Sequence, residues 1–132
     1  MGATIFDIRG RLYEELVKSP LAAEITGEIC RGDRATGSDK EDIVFYDFGA
    51  DNETIQKALV VLNIYVPDFF NGKEWVINED RCNVLTRLAD EVLDGINLGD
   101  YFVDIKEHSS FAVEDDNIKQ HGIRFNLNIL QF

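Results

Sequence analysis

In the segment HGIRFNLNIL, residues 121–130, apolar and polar side chains alternate. In an extended chain successive side chains lie on opposite sides, so this pattern produces one apolar face and one polar face. The apolar face consists of Ile123, Phe125, Leu127 and Ile129. We therefore expect this stretch to be a strand that lies within a sheet.

Apolar residues at spacings of three and four predict two amphipathic helices. The first covers residues 5–18 and ends before Ser19-Pro20, because the residue before a proline avoids the helical region. The second follows Asn78, a favourable N-cap, and closes at Gly95 or Gly99. Each helix therefore presents one apolar stripe to the rest of the protein.

Runs of β-branched and aromatic residues predict the remaining strands. They are residues 26–30, 43–48, 55–66 and 101–113, in addition to 121–130. The order of elements indicates a single α+β domain over residues 1–132. We expect two helices packed on one face of a mainly antiparallel β-sheet.

The composition favours a folded, acidic protein. Of the 132 residues, 45% are hydrophobic and 11% aromatic, which argues against disorder. The formal net charge of -12 disfavours binding to phosphate backbones or anionic lipid. Cys30 and Cys82 are far apart, and we see neither a secretory leader nor an apolar run of about 20 residues. A reducing, cytosolic origin and no membrane partner are expected.

Two segments between the elements have unusual compositions. Residues 32–42 contain one apolar residue, Ala35, and we interpret them as a mobile loop. Residues 68–75 place three aromatic side chains around a turn at Asn71-Gly72. These aromatics either fold back on the core or form a protein-binding surface, and the residues alone leave both open. We predict a partner surface that consists of Phe69, Phe70, Trp75, Arg31, Arg34 and Asp39.

Motifs that carry chemistry are scarce. The sequence has no glycine-rich phosphate loop, no Cys-x-x-Cys pair and no nucleophile elbow. His108 and His121 flank the predicted last hairpin, and its tip contains Glu114, Asp115 and Asp116. These groups could bind a divalent ion, but contiguous acids are more typical of a solvated turn. Neither cysteine occupies the setting of an activated thiolate. We expect no catalytic residue, no metal and no cofactor.

The predicted N-terminal helix precedes a Gly-x-Ile strand, here Gly27-Glu28-Ile29. A strand pair follows, here DIVFY (residues 42–46) and LVVLNIYV (residues 59–66), and the long second helix and the closing strand pair come after it. As a pattern, this order resembles the tail terminator, or tail completion, family of long-tailed bacteriophages, which includes the lambda-type tail terminator and head-tail joining proteins. The aromatic segment 68–75 and the charged segment 32–42 depart from it.

The resemblance implies a structural role in a virion. Subunits would form a ring, a hexamer, that caps the tail tube, stops its polymerisation and joins it to the head. The implied partners are further copies of the chain, the major tail tube protein and the head-tail connector protein, with DNA only as passing cargo. Assembly would take place in the cytoplasm of the bacterial host.

Two other classes of function remain open from the residues. One is a small ligand-binding or regulatory module in which the aromatic segment closes over a pocket. The other is an enzyme built around the His108/His121 hairpin, which has the least support.

Overall fold

The computed structural model describes residues 3–50, 55–114 and 118–132. Its elements in chain order are α1 (Ile5–Lys18), α2 (Pro20–Glu24), β1 (Ile29–Arg31), β2 (Ile43–Ala50), β3 (Lys57–Pro67), β4 (Phe69–Phe70), β5 (Trp75–Val76), α3 (Glu79–Leu93), β6 (Tyr101–Ala112) and β7 (Gln120–Gln131). The two long helices, α1 and α3, lie where the sequence predicts them.

Helix α1 begins at a capping box. The Thr4 hydroxyl accepts a hydrogen bond from the Asp7 amide at 3.1 Å, and the Asp7 carboxylate accepts one from the Thr4 amide at 2.9 Å. This exchange satisfies two amides at the helix start that have no partner within the helix. Ser19, before Pro20, is extended, so the predicted helix end is confirmed.

The segment after α1 differs from its prediction. Pro20 opens the short helix α2, because the fixed φ of proline suits the first helical position. Strand β1 is shorter than the predicted residues 26–30, because Thr26 and Gly27 bond to Glu41 instead. The Gly27 amide donates to the Glu41 carbonyl at 2.9 Å, and the Thr26 hydroxyl accepts from the Glu41 amide at 2.9 Å.

Five strands form one mixed sheet in the order β1-β2-β3-β7-β6. Strand β1 is parallel to β2, and every other neighbouring pair is antiparallel. The predicted strand 101–113 is β6, which contains an irregularity between Ile105 and Glu107. Strands β4 and β5 pair as a separate hairpin.

Helix α3 starts where the Asn78 side chain accepts a hydrogen bond from the Arg81 amide at 3.2 Å, which confirms the predicted N-cap. The helix ends at Leu93, and Gly95 has a φ of +71°. A left-handed residue just beyond a helix is most often glycine, so the predicted closing glycine is Gly95.

Both long helices pack on the same face of the sheet. Their buried stripes are Ile8, Leu12 and Leu16 of α1 and Leu85, Ala89 and Leu93 of α3. The facing side chains of the sheet are Ile43, Phe45, Ala58, Val60, Leu62, Ile64, Val66, Tyr101, Val103, Ile123, Phe125, Leu127 and Ile129. The predicted α+β class, with helices on one face of a mainly antiparallel sheet, is confirmed.

We call the opposite side of the sheet the open face. Its side chains on β3 are Lys57, Leu59, Val61, Asn63 and Tyr65, which alternate with the core residues of that strand. Towards the end of β3, the Tyr65 ring meets the Phe111 ring edge to face, with their centroids 6.0 Å apart. The Arg34 guanidinium lies over the Tyr65 ring, 4.3 Å from its centroid, and the Arg124 guanidinium lies over the Phe111 ring, 4.8 Å from its centroid.

Gly122 makes this arrangement of rings possible. It lies opposite Tyr65 on one side and Phe111 on the other. A Cβ at this position would lie 2.1 Å from the Phe111 ring, so any other residue would displace the ring. The glycine therefore provides the space that Phe111 fills on the open face.

Candidate functional site

The aromatic segment forms a hairpin that projects from the end of β3; we call residues 69–76 the aromatic hairpin. Phe70 pairs with Trp75, and their rings are 5.6 Å apart. Phe69, Phe70 and Trp75 are 47%, 54% and 54% exposed. This exposure contradicts the alternative in which the rings fold back on the core, and a protein-binding surface stays a prediction.

The tip of the hairpin is built by Asn71 and Gly72, as the sequence predicts. The Asn71 side chain accepts hydrogen bonds from the Lys73 and Glu74 amides, both at 2.9 Å. Gly72 has a φ of +101°, a conformation that other residues rarely adopt. These contacts fix the turn, so Phe70 and Trp75 are held side by side.

The base of the hairpin is attached to β7. The Asp68 amide donates to the Lys119 carbonyl at 2.9 Å, and the Asp68 carboxylate meets His121 Nδ1 at 2.7 Å. Asp68 and His121 are distant in sequence, so no local pattern indicated this contact. It holds the hairpin at a defined place at the end of the sheet.

A cleft of about 510 Å³ opens beside the hairpin. It is lined by Gly37, Asp39, Pro67, Asp68, Trp75, Ile118 and Lys119. The structure thus brings together Asp39 and Trp75, two of the predicted interface residues. The cleft contains carboxylates, a cation and an indole, so it can take a small polar molecule or a side chain of a partner.

Arg34 anchors the segment 32–42. Its guanidinium donates to Asp42 Oδ2, to Gln120 Oε1 and to the Lys40 carbonyl, each at 2.7 Å. The sequence predicts a mobile loop here, and these polar contacts replace some of the apolar contacts that the segment lacks. Arg34 was expected at a partner surface, but it acts within the subunit.

Asp42 is the buried centre of these contacts. Its carboxylate accepts hydrogen bonds from the Glu28 amide at 2.8 Å and from the side chains of Ser38 and Arg34. Burial raises the pKa of Asp42, but these hydrogen bonds and the charge of Arg34 outweigh it, so the pKa is lowered. The carboxylate therefore remains ionised at neutral pH.

Gly27 lies against the same carboxylate. A Cβ there would lie 2.0 Å from Asp42 Oδ1 and 2.6 Å from the Glu41 carbonyl oxygen. The glycine of Gly27-Glu28-Ile29 thus permits the close approach that lets β1 pair with β2, since Ile29 lies opposite Ile43.

A second arginine ties helix α3 to this end of the sheet. Arg81 donates to both oxygens of Glu41, at 2.6 and 2.8 Å, and to Glu24 Oε1 at 2.7 Å. Hydrogen bonds to Glu41 and Glu24 raise the pKa of the Arg81 guanidinium. The planar guanidinium contacts both carboxylate oxygens of Glu41 in a bidentate arrangement, which fixes α3 beside the segment that contains Asp42.

Arg31 lies apart from the residues of the cleft. It is at the end of β1, the edge strand, where its guanidinium stacks over the Tyr13 ring of α1 at 4.5 Å. The predicted interface residues therefore divide into three groups: the hairpin with Asp39, the internal anchor Arg34, and Arg31 at the sheet edge.

Both thiols are held in the protonated form, and the two histidines have different surroundings. Burial, followed by nearby carboxylates, raises the pKa of Cys30 and of Cys82, so both thiols stay protonated at neutral pH. His121 faces Asp68, whereas the ring of His108 packs 5.4 Å from that of Phe125. The two histidines are thus well separated along the β6-β7 hairpin.

Metal ligands do not converge within residues 3–50, 55–114 and 118–132, where no group of three or more His, Cys, Asp or Glu side chains is placed to hold an ion. The acidic tip noted in the sequence includes Asp115 and Asp116, which lie outside the described residues.

The sequence matches no protein-family model, and it matches no curated protein. In the described part of the chain, none of the helices combines the length and the apolar character needed to cross a membrane.

Proposed function

We propose that this protein is a structural subunit of a bacteriophage virion, a tail terminator or head-tail joining protein. Copies of it form a ring, a hexamer, that caps the tail tube. Its further partners are the major tail tube protein and the head-tail connector protein, and DNA only passes through. It is assembled in the cytoplasm of the bacterial host and remains at the head-tail interface of the virion.

The observation that carries the proposal is the exposed aromatic hairpin. Three large rings project from a hairpin that is held at its tip by Asn71 and at its base by Asp68. Water-exposed aromatics on a fixed support are typical anchors of protein interfaces, because they bury much area at little cost in conformational entropy. An assembly protein needs such a surface.

The arrangement of elements supports the same proposal. A helix, a strand that begins after Gly27, a strand pair, a long helix and a closing pair follow one another in the order of the family that the sequence resembles. Strand β6 forms one edge of the sheet, and residues 106–110 on it are exposed. Edges of this kind are available for contacts between copies.

The charge of the chain is compatible with DNA as cargo. A formal net charge of -12 in each subunit would surround a ring with negative potential. Such a potential repels phosphates, so DNA would pass through the ring without binding to it.

The test is deletion of the reading frame from the phage or prophage, followed by negative-stain microscopy of the particles. We expect over-long or headless tails, and normal virions would refute the proposal. Complementation by the double substitution Phe70→Ser and Trp75→Ser should fail although its melting midpoint is unchanged. Val84→Ser, which alters another exposed apolar residue, is the matched control and should restore normal particles.

The cleft beside Trp75 supports a second candidate, a small ligand-binding module. Trp75 is the single tryptophan, so its fluorescence reports directly on the cleft. A protein that stays monomeric at high concentration, and whose fluorescence is saturably quenched by a small polar molecule, would favour this candidate over the ring.

A further inference from the structure

The open face contains a trough at the end of the sheet where β3 begins. It has a volume of about 250 Å³ and is lined by Phe48, Leu59, Val60, Val61, Lys106, Glu107, Asn126, Leu127 and Asn128. Phe48 and Leu59 are 70% and 41% exposed. The trough is therefore a second exposed apolar surface, separate from the aromatic hairpin.

The hairpin and the trough lie at opposite ends of the same sheet. Leu59 is near the start of β3, whereas the hairpin follows Pro67 at its end. At about 3.3 Å per residue, the strand between these two residues spans about 26 Å. The hairpin is fixed at its base by Asp68, so it cannot fill the trough of its own chain.

The trough matches an aromatic side chain in size and in chemistry. A cavity of about 150 Å³ holds a benzene molecule, so the trough is large enough for one indole. Asn128 Oδ1 in its lining has no hydrogen-bond partner among the described residues. Asn128 as a whole is partly exposed and offers a free acceptor, and an indole N–H is a donor without acceptor character.

The charges around the two surfaces are also compatible. Lys106 and Glu107 border the trough, and Lys73 and Glu74 lie on the hairpin. Each surface thus offers one cation and one anion to the other, although the chain as a whole carries a formal charge of -12. Repulsion between copies is smallest where both signs are present.

We infer that the trough receives the aromatic hairpin of a second copy of this chain, with Trp75 inserted and its indole N–H donating to Asn128. The contact joins two different surfaces, so it is heterologous and repeats from copy to copy. In the proposed ring, this contact joins neighbouring subunits. The inference depends on the proposed function only for the closure of the ring.

Mixing two variants tests the inference. The hairpin variant carries Phe70→Ser and Trp75→Ser, and the trough variant carries Phe48→Ser and Leu59→Ser. In sedimentation at high concentration the wild type should associate, and each variant alone should associate at least about 30-fold more weakly. An equimolar mixture should form a heterodimer and nothing larger, because it contains one intact hairpin and one intact trough.

The possible results are distinct. A hairpin-to-hairpin dimer would leave the trough variant associating like the wild type, which overturns the inference. A mixture that remains monomeric would also overturn the inference, and so would a wild type that is monomeric at every concentration. Melting midpoints close to that of the wild type show that both variants fold, and Val84→Ser should associate like the wild type.

A double-mutant cycle tests the hydrogen bond. Trp75→Phe keeps a ring but removes the donor, and Asn128→Leu removes the acceptor. Each should weaken association about 5- to 10-fold, and the double variant should be no weaker than either. Fully additive losses would show that these two side chains do not meet.

The outcomes also separate this contact from the proposed function. If phage lacking the protein form normal virions while the mixed variants still form a heterodimer, the tail role fails and the contact stands. If the virions are defective while both variants associate like the wild type, the contact fails and the tail role stands.

Discussion

The two faces of the sheet are buried by different means, although the same strands supply both. On β3, Leu62 faces the helices and is covered by aliphatic side chains. Its neighbour Asn63 faces the other way and is buried as well, and its side chain accepts a hydrogen bond from Arg124 at 3.1 Å. Long side chains that lie flat, such as Arg124 and Phe111, cover the open face without a helix.

The two kinds of burial indicate where the stability and the binding capacity of the protein reside. Burial on the helix face depends on apolar area and close packing, which tolerate little change in volume. On the open face, burial depends on particular pairs of residues, such as Phe111 with Gly122. Part of that face remains exposed to solvent. Substitutions on the two faces should therefore differ in size and in kind.

The largest effect is expected on the helix face. Phe125→Ala removes a fully buried ring and should lower the free energy of unfolding by about 3 to 5 kcal/mol. Asn126→Ser, its neighbour on the open face, is the control and should cost well under 1 kcal/mol, about the worth of one exposed hydrogen bond. Urea denaturation of both variants measures these two losses of free energy. Equal losses would mean that the two faces of the sheet are wrongly assigned.

The next largest effect on stability is expected at the contact between Arg34 and Asp42, which holds segment 32–42 in place. Asp42→Asn leaves Arg34 without its charged partner and should cost about 2 to 3 kcal/mol at pH 7. The lowered pKa of Asp42 means that its contribution is complete above the unfolded-state pKa of about 3.9 and is lost as the pH falls through the folded-state value. Urea midpoints of wild type and variant should therefore converge in acid, and a constant difference down to pH 2 would contradict this role.

A smaller effect is expected at the glycine of the open face. Gly122→Ala places a methyl group against the Phe111 ring and should cost about 1 to 2 kcal/mol. Combining it with Phe111→Ala removes the clash, so the two losses should be less than additive in thermal melts. Strict additivity would show that the ring and the glycine act independently.

The smallest effect on stability is expected in the trough. Phe48→Ser alters an exposed side chain and should change the free energy of unfolding by about 0.5 kcal/mol or less. A loss of several kcal/mol in denaturant melts would mean that Phe48 belongs to the core, and the open face would then differ less from the helix face than the structure indicates.

The elements that the sequence predicted well depend on local chemistry. Helix α1 has its predicted bounds because Thr4, Asp7 and Pro20 act within a few residues of its ends. The alternation at residues 121–130 extends to Gln120–Gln131 because a period of two is visible in any window of the strand. The fold class followed from these elements.

The candidate site was predicted only in part. The aromatic residues of the hairpin were identified from their composition, but their exposure was not, because a ring in a loop packs inward or outward according to what lies beneath it. Arg34 was expected at a partner surface, since nothing in segment 32–42 indicated Gln120, 86 residues away, as its partner.

Spacing and composition are enough to predict the helices, the alternating strands and the acidic, apolar-rich character of the chain. Three features follow from the folded chain alone: Asp68 meets His121, Gly27 borders Asp42, and hairpin and trough lie at opposite ends of one sheet. Strand order and register bring together residues far apart in sequence, and a linear pattern contains no information on which partner lies across the sheet.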